Sequence, residues 1–176
     1  AWFKPHPEIL LVVKDHLDWL MRTSPPTHCE GLVSAISRNR KVPESCVVLG
    51  AGSSSLIFQG LTHLVSRRDR CIVLDPSYAE YSHVLQNVVG TRVDRLELEE
   101  SDGFRLNVNQ LAKAAQQAAL VVLVNPNSPT GVLTPRSDVV KLLDQIPSTT
   151  MFWVDETYID YAGSAESMES LVVQYP

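Results

Sequence analysis

The sequence has no apolar run long enough to cross a bilayer; its longest uncharged apolar stretches are short and strand-like. Its first residues, AWFKPHPEIL, lack the basic-then-apolar layout of an export signal, so no targeting step is expected. Cysteine is scarce: Cys29, Cys46 and Cys71 are an odd number without CxxC spacing. Two of them sit in or beside apolar runs, which favours buried reduced thiols over a disulfide. The five histidines, His6, His16, His28, His63 and His83, show no metal-ligand spacing, and each is expected on the surface or as a satisfied core residue. Metal-dependent hydrolysis is therefore a poor reading. Basic charge is also in short supply, with 15 Lys and Arg against 20 Asp and Glu and a net charge of −5. That balance argues against a nucleic-acid surface as the main business. Repeats and low-complexity linkers are absent. The chain reads as cytoplasmic, with neither a nucleic acid nor a membrane as partner.

What is present is ordinary globular material. A length of 176 residues, 44% of them hydrophobic, suffices for one substantial domain with its own core. The first stretch, residues 1–40, reads as a helical segment. Ile9, Val13 and Leu17 share one face of a helix expected over Pro7–Leu20, and a second helix is expected over Cys29–Arg38. Between them, Thr23-Ser-Pro-Pro-Thr-His28 is a turn, because two prolines cannot sit inside a helix. From residue 41 to 176 the pattern alternates. Strands are expected at Cys46–Leu49, Cys71–Leu74, Val93–Leu98, Leu120–Val124 and Met151–Val154. Helices are expected between them at Ser54–Val65, Tyr78–Val89, Val108–Ala118 and Pro135–Leu143, the last with Thr134 as N-cap and proline at its first position. Near-continuous apolar strands alternating with helices predict a three-layer α/β/α domain with a mostly parallel sheet. Val93, Leu96 and Leu98 alternate imperfectly, which places their strand near an edge or bends it. Toward the end, Leu171, Val172 and Val173 begin an apolar segment that the given residues do not complete.

Four segments carry chemistry. In Val47-Val-Leu-Gly-Ala-Gly-Ser-Ser-Ser-Leu56 a glycine turn opens a helix. Free backbone N–H groups and the positive end of the helix dipole suit a phosphate there. Gly52 allows close approach, and Ser53 and Ser54 add hydroxyls. A serine-capped helix explains the same residues equally well. A dinucleotide fingerprint does not, since Ser55 stands where the third glycine belongs. In Leu74-Asp-Pro-Ser-Tyr-Ala-Glu-Tyr81, Tyr78 lies at the carboxyl end of a strand, where α/β sheets hold ligands. It can stack on a flat ring, or it can face the core, since Tyr78, Tyr81 and Leu85 share helical spacing. In Val121-Val-Leu-Val-Asn-Pro-Asn-Ser-Pro-Thr-Gly131, two prolines hold Asn127 and Ser128 in a stiff loop, as either a simple strand stop or a preorganised donor pair. In Met151-Phe-Trp-Val-Asp-Glu-Thr-Tyr158, Asp155 follows an apolar strand, and a buried carboxylate there needs a cation or several donors. A turn-capping aspartate is the alternative. Together the four fit one ligand bearing a phosphate, a flat ring, a ring oxygen and a ring nitrogen.

The set GAGSSSL, DPSYAEY, NPNSPTG and VDETY resembles the motif series of fold-type-I pyridoxal-phosphate (PLP) aminotransferases of class I and II. The likeness is strongest to histidinol-phosphate aminotransferases and the related threonine-phosphate decarboxylases, and it runs from about Pro7 to Pro176. It implies the large domain of that fold, incomplete here, with residues 41–176 as its cofactor-binding part. It further implies that Gly52 and Ser53 hold the PLP phosphate with Ser54 close by, that Tyr78 stacks on the pyridine ring, and that Asp155 pairs with the ring nitrogen. Asn127 and Ser128 border the ring's phenolic oxygen, and Tyr158 hydrogen-bonds it. Amino-acid and oxo-acid substrates and a homodimer come with the family.

Three departures stand out. Relatives usually read PNNPTG, so Ser128 replaces an asparagine. The tyrosine that reaches the partner subunit's phosphate is missing near Thr23-Ser-Pro-Pro26. The segment bearing the Schiff-base lysine is absent, and Lys4, Lys14, Lys41, Lys113 and Lys141 lie in none of the motifs. The resemblance thus implies an aminotransferase for the whole protein and an inactive piece here. A PLP-dependent decarboxylase of amino-acid phosphates, or a non-catalytic metabolite-binding module, would share the same motifs.

Overall fold

The computed structural model describes residues 4–27, 29 and 31–175. His28, named in the first turn and among the histidines, lies outside them, as do the first three residues, Glu30 and Pro176. The chain divides into two compact units, Ala1–Val47 and Val48–Pro176.

The first unit is helical. Helix α1 (Pro7–Asp15) starts with proline in its first turn and ends at His16, and α2 (Leu17–Arg22) follows at once. The single helix expected over Pro7–Leu20 is therefore two. Ile9 and Val13 share a face of α1, while Leu17 opens α2. Helix α3 (Leu32–Arg40) begins later than the expected Cys29, because Cys29 (φ 51°) and Gly31 (φ 85°) adopt left-handed backbone that no α-helix accommodates. Ser34 and Glu44 close the unit with a 2.6 Å hydrogen bond.

The second unit is built on a four-stranded, wholly parallel sheet in the order β2-β1-β3-β4. Its elements are α4 (Ser53–Leu64), β1 (Arg70–Asp75), α5 (Ala79–His83), β2 (Arg92–Glu97), α6 (Val108–Ala115), β3 (Leu120–Val124), α7 (Arg136–Leu143) and β4 (Met151–Asp155). Strand β3 is buried along its whole length. Its alternate side chains still sort to two cores. Val121 and Leu123 join Ile72 and Leu74 of β1 against α6 and α7. Leu120, Val122 and Val124 join Cys71 and Val73 against α4, Tyr81, Val84 and Leu85. Each such side chain stabilises the fold by roughly 1.5–3 kcal/mol through burial. Helices on both faces of a parallel sheet give the three layers expected.

Four expectations need correction. Cys46–Leu49 forms no strand: Glu44–Cys46 is a 3-10 turn, and Val48 is 79% exposed. An apolar run cannot complete a ladder without a neighbouring strand, and none lies beside it among the described residues. Cys46 is accordingly exposed, whereas Cys71 is buried. The helix expected over Tyr78–Val89 begins at Ala79 and widens into a π-helical stretch at Val84–Val89, ending at Gly90. Thr134 does not cap α7, because its N–H and carbonyl pair with the Asn125 side chain at 2.8 and 2.9 Å. Pro135 takes the cap position, and the Glu166 carboxylate accepts from the Arg136 N–H at 2.8 Å.

The imperfect alternation of Val93, Leu96 and Leu98 does mark an edge, since β2 is the outermost strand beside β1. Its Asp94 takes a hydrogen bond from Arg70, which holds that carboxyl below the ordinary aspartate range. Charged residues of this kind protect an edge from further pairing. Leu171 packs against the α6/α7 core, while Val172 and Val173 are exposed. Among the described residues, no helix is long and apolar enough to cross a membrane.

Candidate functional site

All four sequence motifs meet at the carboxyl edge of the sheet, and a run of hydrogen bonds joins them. The first is the glycine turn. Gly52 sits at φ +89° just before α4, and a Cβ placed on it would meet nothing within 4 Å. The side open to an incoming group is therefore bare backbone. No side chain caps α4, so its first N–H groups have no partner within the helix. The Ser54 hydroxyl donates to Glu80 Oε2 at 2.9 Å, which ties the start of α4 to the first turn of α5. Ser53 is exposed beside it.

The second motif follows β1. Tyr78 caps α5 and is 40% exposed, so the core-facing alternative for this ring does not hold. The core aromatic is Tyr81, 2% exposed, whose ring meets Tyr78 edge-on at 6.2 Å. The difference is one of helix phase: α5 starts after Tyr78, so the two rings do not share a helical face.

The third motif is clasped to the second. Asn127 is 6% exposed, and its Oδ1 accepts from the Ser77 hydroxyl at 3.0 Å. Its Nδ2 donates to the Pro76 carbonyl at 2.9 Å and to Thr130 Oγ1 at 3.0 Å. Asn125 secures the far side of the loop through Thr134, so the two asparagines hold the loop after β3 at both ends. Ser128 is half-buried, and its hydroxyl has no hydrogen-bond partner among the described residues. It lines a depression of about 630 Å³ together with Tyr158, Tyr161, Leu133 and Gly131. Ser128 and Tyr158, separate in sequence, thus border one space.

The fourth motif ends β4. Asp155 is half-buried, and three uncharged donors surround its carboxylate. Oδ1 accepts from the Thr157 N–H at 2.9 Å and from the Thr157 hydroxyl at 2.6 Å. Oδ2 accepts from the Tyr81 hydroxyl at 2.8 Å. That hydroxyl in turn accepts from Trp153 Nε1 at 2.9 Å. Burial, reinforced by the negative charge of Asp155, pushes the Tyr81 phenol well above its ordinary range, so it stays protonated. The need for several donors in place of a cation is met here, partly from a residue far upstream. Tyr81, Trp153 and Thr157 were not singled out from sequence. Only Thr157 was within reach, since an aspartate that accepts from the second residue on is a local turn pattern.

The sequence model of aminotransferase class I and II matches residues 22–175. The histidinol-phosphate aminotransferase of Desulfitobacterium hafniense is 33% identical over 157 residues, which are 86% of this chain and 41% of that protein. Among solved structures, the histidinol-phosphate aminotransferase from Clostridium acetobutylicum superposes with a TM-score of 0.83 at 22% identity, covering 96% of this chain and 49% of that one. The enzyme of the same name from Sinorhizobium meliloti, in complex with pyridoxal-5'-phosphate, gives 0.80 at 23%, covering 91% and 43%. At those identities the structural likeness is one of fold. The chain spans less than half the length of these relatives. With its sheet, its four clasped motifs and a family match running from α2 past β4, the chain belongs to the class I and II aminotransferases.

Proposed function

We propose that this chain supplies the cofactor floor of a PLP-dependent aminotransferase, which moves an amino group between an amino acid and a 2-oxo acid or ketone phosphate. The observation that carries the reading is the hydrogen-bonded run linking the Gly52 turn, the Tyr78 cap, the Ser128 loop and Asp155 at one sheet edge. The residues suit the group. Gly52 leaves open space over free backbone donors, as a phosphate requires. Tyr78 offers an accessible ring face, Ser128 and Tyr158 offer hydroxyls, and Asp155 offers a fixed negative charge.

Bound PLP supplies an electron sink for carbanion chemistry. The chain's part is to bind and orient it. Gly52 and Ser53 take the phosphate, with Ser54 alongside and anchored by Glu80. Asp155 holds a proton on the pyridine nitrogen, and Tyr158 and Ser128 donate to the phenolic oxygen. Asn127 serves that edge of the site by holding the loops after β1 and β3 together. The five lysines lie in none of the motifs, and Lys113 and Lys141 belong to α6 and α7 on the opposite face of the sheet. These 176 residues alone are therefore expected to transaminate no faster than free PLP. A homodimer and a cytoplasmic location go with the same reading for the whole protein.

The test is a PLP titration of the chain, followed by absorbance and by calorimetry, alongside Asp155→Ala. A hydrogen bond to a charged group contributes about 1.5–3 kcal/mol, so the variant should bind roughly 10- to 150-fold more weakly. Equal affinity would leave Asp155 as a cap for Thr157 only.

A further inference from the structure

Tyr81 lies between two groups whose hydrogen-bonding options are fixed. An indole N–H can only donate, and an ionised carboxylate can only accept. The Tyr81 oxygen lies 2.9 Å from Trp153 Nε1 and 2.8 Å from Asp155 Oδ2. It must accept from the first, which aims its single proton at the second. The direction of the chain, from Trp153 through Tyr81 to Asp155, admits no alternative arrangement.

The ring that carries this hydroxyl is itself immobilised. It is 2% exposed and meets Tyr78 and Trp153 edge-on, each at 6.2 Å. Trp153 is fixed from behind by Gly60 of α4, whose missing side chain leaves room for the indole. With Tyr81 on Oδ2 and Thr157 on Oδ1, both oxygens of Asp155 are held from different directions, so the carboxyl plane cannot rotate. High basicity of the buried phenolate keeps the proton in place as pH rises.

We infer that Tyr81, oriented by Trp153, is the positioning residue for Asp155, setting the angle at which that carboxylate meets a protonated ring nitrogen. This rests on the cofactor reading above and deepens it. A residue three places after Tyr78 thus joins the ring-stacking surface and the ring-nitrogen partner into one rigid body. Positioning within a few tenths of an ångström is what a first-contact group requires from its neighbours.

The experiment is a double-mutant cycle on PLP affinity using the wild-type chain, Tyr81→Phe, Asp155→Ala and the pair. Tyr81→Phe keeps the buried ring and removes only the hydroxyl. It should weaken PLP binding about 3- to 10-fold, the range of one hydrogen bond. In the Asp155→Ala background it should change affinity by less than about twofold, because Tyr81 acts through Asp155. A purely structural role would weaken both backgrounds alike and overturn the inference, as would Tyr81→Phe binding like wild type. The Trp153 indole N–H resonance of the PLP-free chain gives an independent reading. It should shift in Tyr81→Phe, and an unmoved signal would also refute the chain of bonds. Should Tyr81→Phe fail to fold, Trp153→Phe should show the same non-additivity with Asp155→Ala, and additive effects there would overturn the inference. A wild-type chain that does not bind PLP would sink the cofactor reading itself, a result distinct from binding that ignores Tyr81.

Discussion

Gly60 provides a quantitative test of how tightly the face under the site is packed. It lies inside α4, where alanine is ordinarily better than glycine by about 1 kcal/mol. A Cβ at Gly60, however, would stand 2.7 Å from both Cη2 and Cζ3 of Trp153, closer than real carbon contacts allow. Those ring atoms belong to a half-buried side chain hydrogen-bonded at its far end to Tyr81, so they cannot swing away freely. Overpacking of this kind costs about 1–3 kcal/mol. Set against the helix gain, Gly60→Ala should lose about 1 kcal/mol net, a fall in urea midpoint of about 0.5 M for a slope near 2 kcal/mol/M. Trp153→Phe deletes the two offending atoms. In that background the same substitution should stabilise by up to about 1 kcal/mol, so its sign reverses. Far-UV circular dichroism during urea unfolding of the four proteins measures this without relying on tryptophan emission. If Gly60→Ala is as stable as the parent, or stabilises both backgrounds equally, the packing argument fails.

At Ser128, removal of the hydroxyl by Ser128→Ala should weaken PLP binding by roughly 0.5–1.5 kcal/mol, while Ser128→Asn should be tolerated; calorimetric affinity decides, and no loss for the alanine variant would hand the contact to Tyr158. Burial, opposed in part by Thr91 and aided to a smaller extent by the Asp69 charge, pushes the Cys71 thiol up to about 11 from 9.0. At pH 8 that leaves it roughly 100-fold less thiolate than an ordinary cysteine, so iodoacetamide should label exposed Cys46 and spare Cys71 until the chain unfolds. Because the folded state holds this proton more tightly, its contribution to stability is complete below pH 9 and should fade as pH rises through 9 to about 11. A urea midpoint unchanged between pH 8 and pH 10.5 would contradict that.

Much of the layered architecture was legible because burial on both faces leaves a strong mark. The run LVVLV at Leu120–Val124 is the strand the sequence pattern predicts. VVL after Cys46 draws on the same residue types and is no strand, since a ladder depends on a partner that composition cannot reveal. The π-helical widening at Val84–Val89 was likewise invisible, because no residue type in that run marks a switch from α to π hydrogen bonding. At the site, the motifs were readable as local chemistry at strand ends. Their mutual support was not. Asp155 visibly required donors, yet one of them comes from Tyr81, 74 positions away, and Trp153 reads in sequence as an apolar strand residue. Helical spacing grouped Tyr78 with Tyr81, and only the position of the helix start separated the exposed ring from the buried one.

The two asparagine clasps have a dynamic consequence. Asn125 and Asn127 bind backbone and side-chain groups across loops that no β-ladder connects. The loops after β1 and β3 therefore cannot breathe separately, because opening either one requires breaking the Asn127 amide bonds that hold the other. The N–H of Gly131, bonded to the Asn127 carbonyl, and that of Asn127, bonded to Val132, belong to the same cooperative unit. Their hydrogen exchange should follow a single opening free energy, so that the floor of the site loosens all at once.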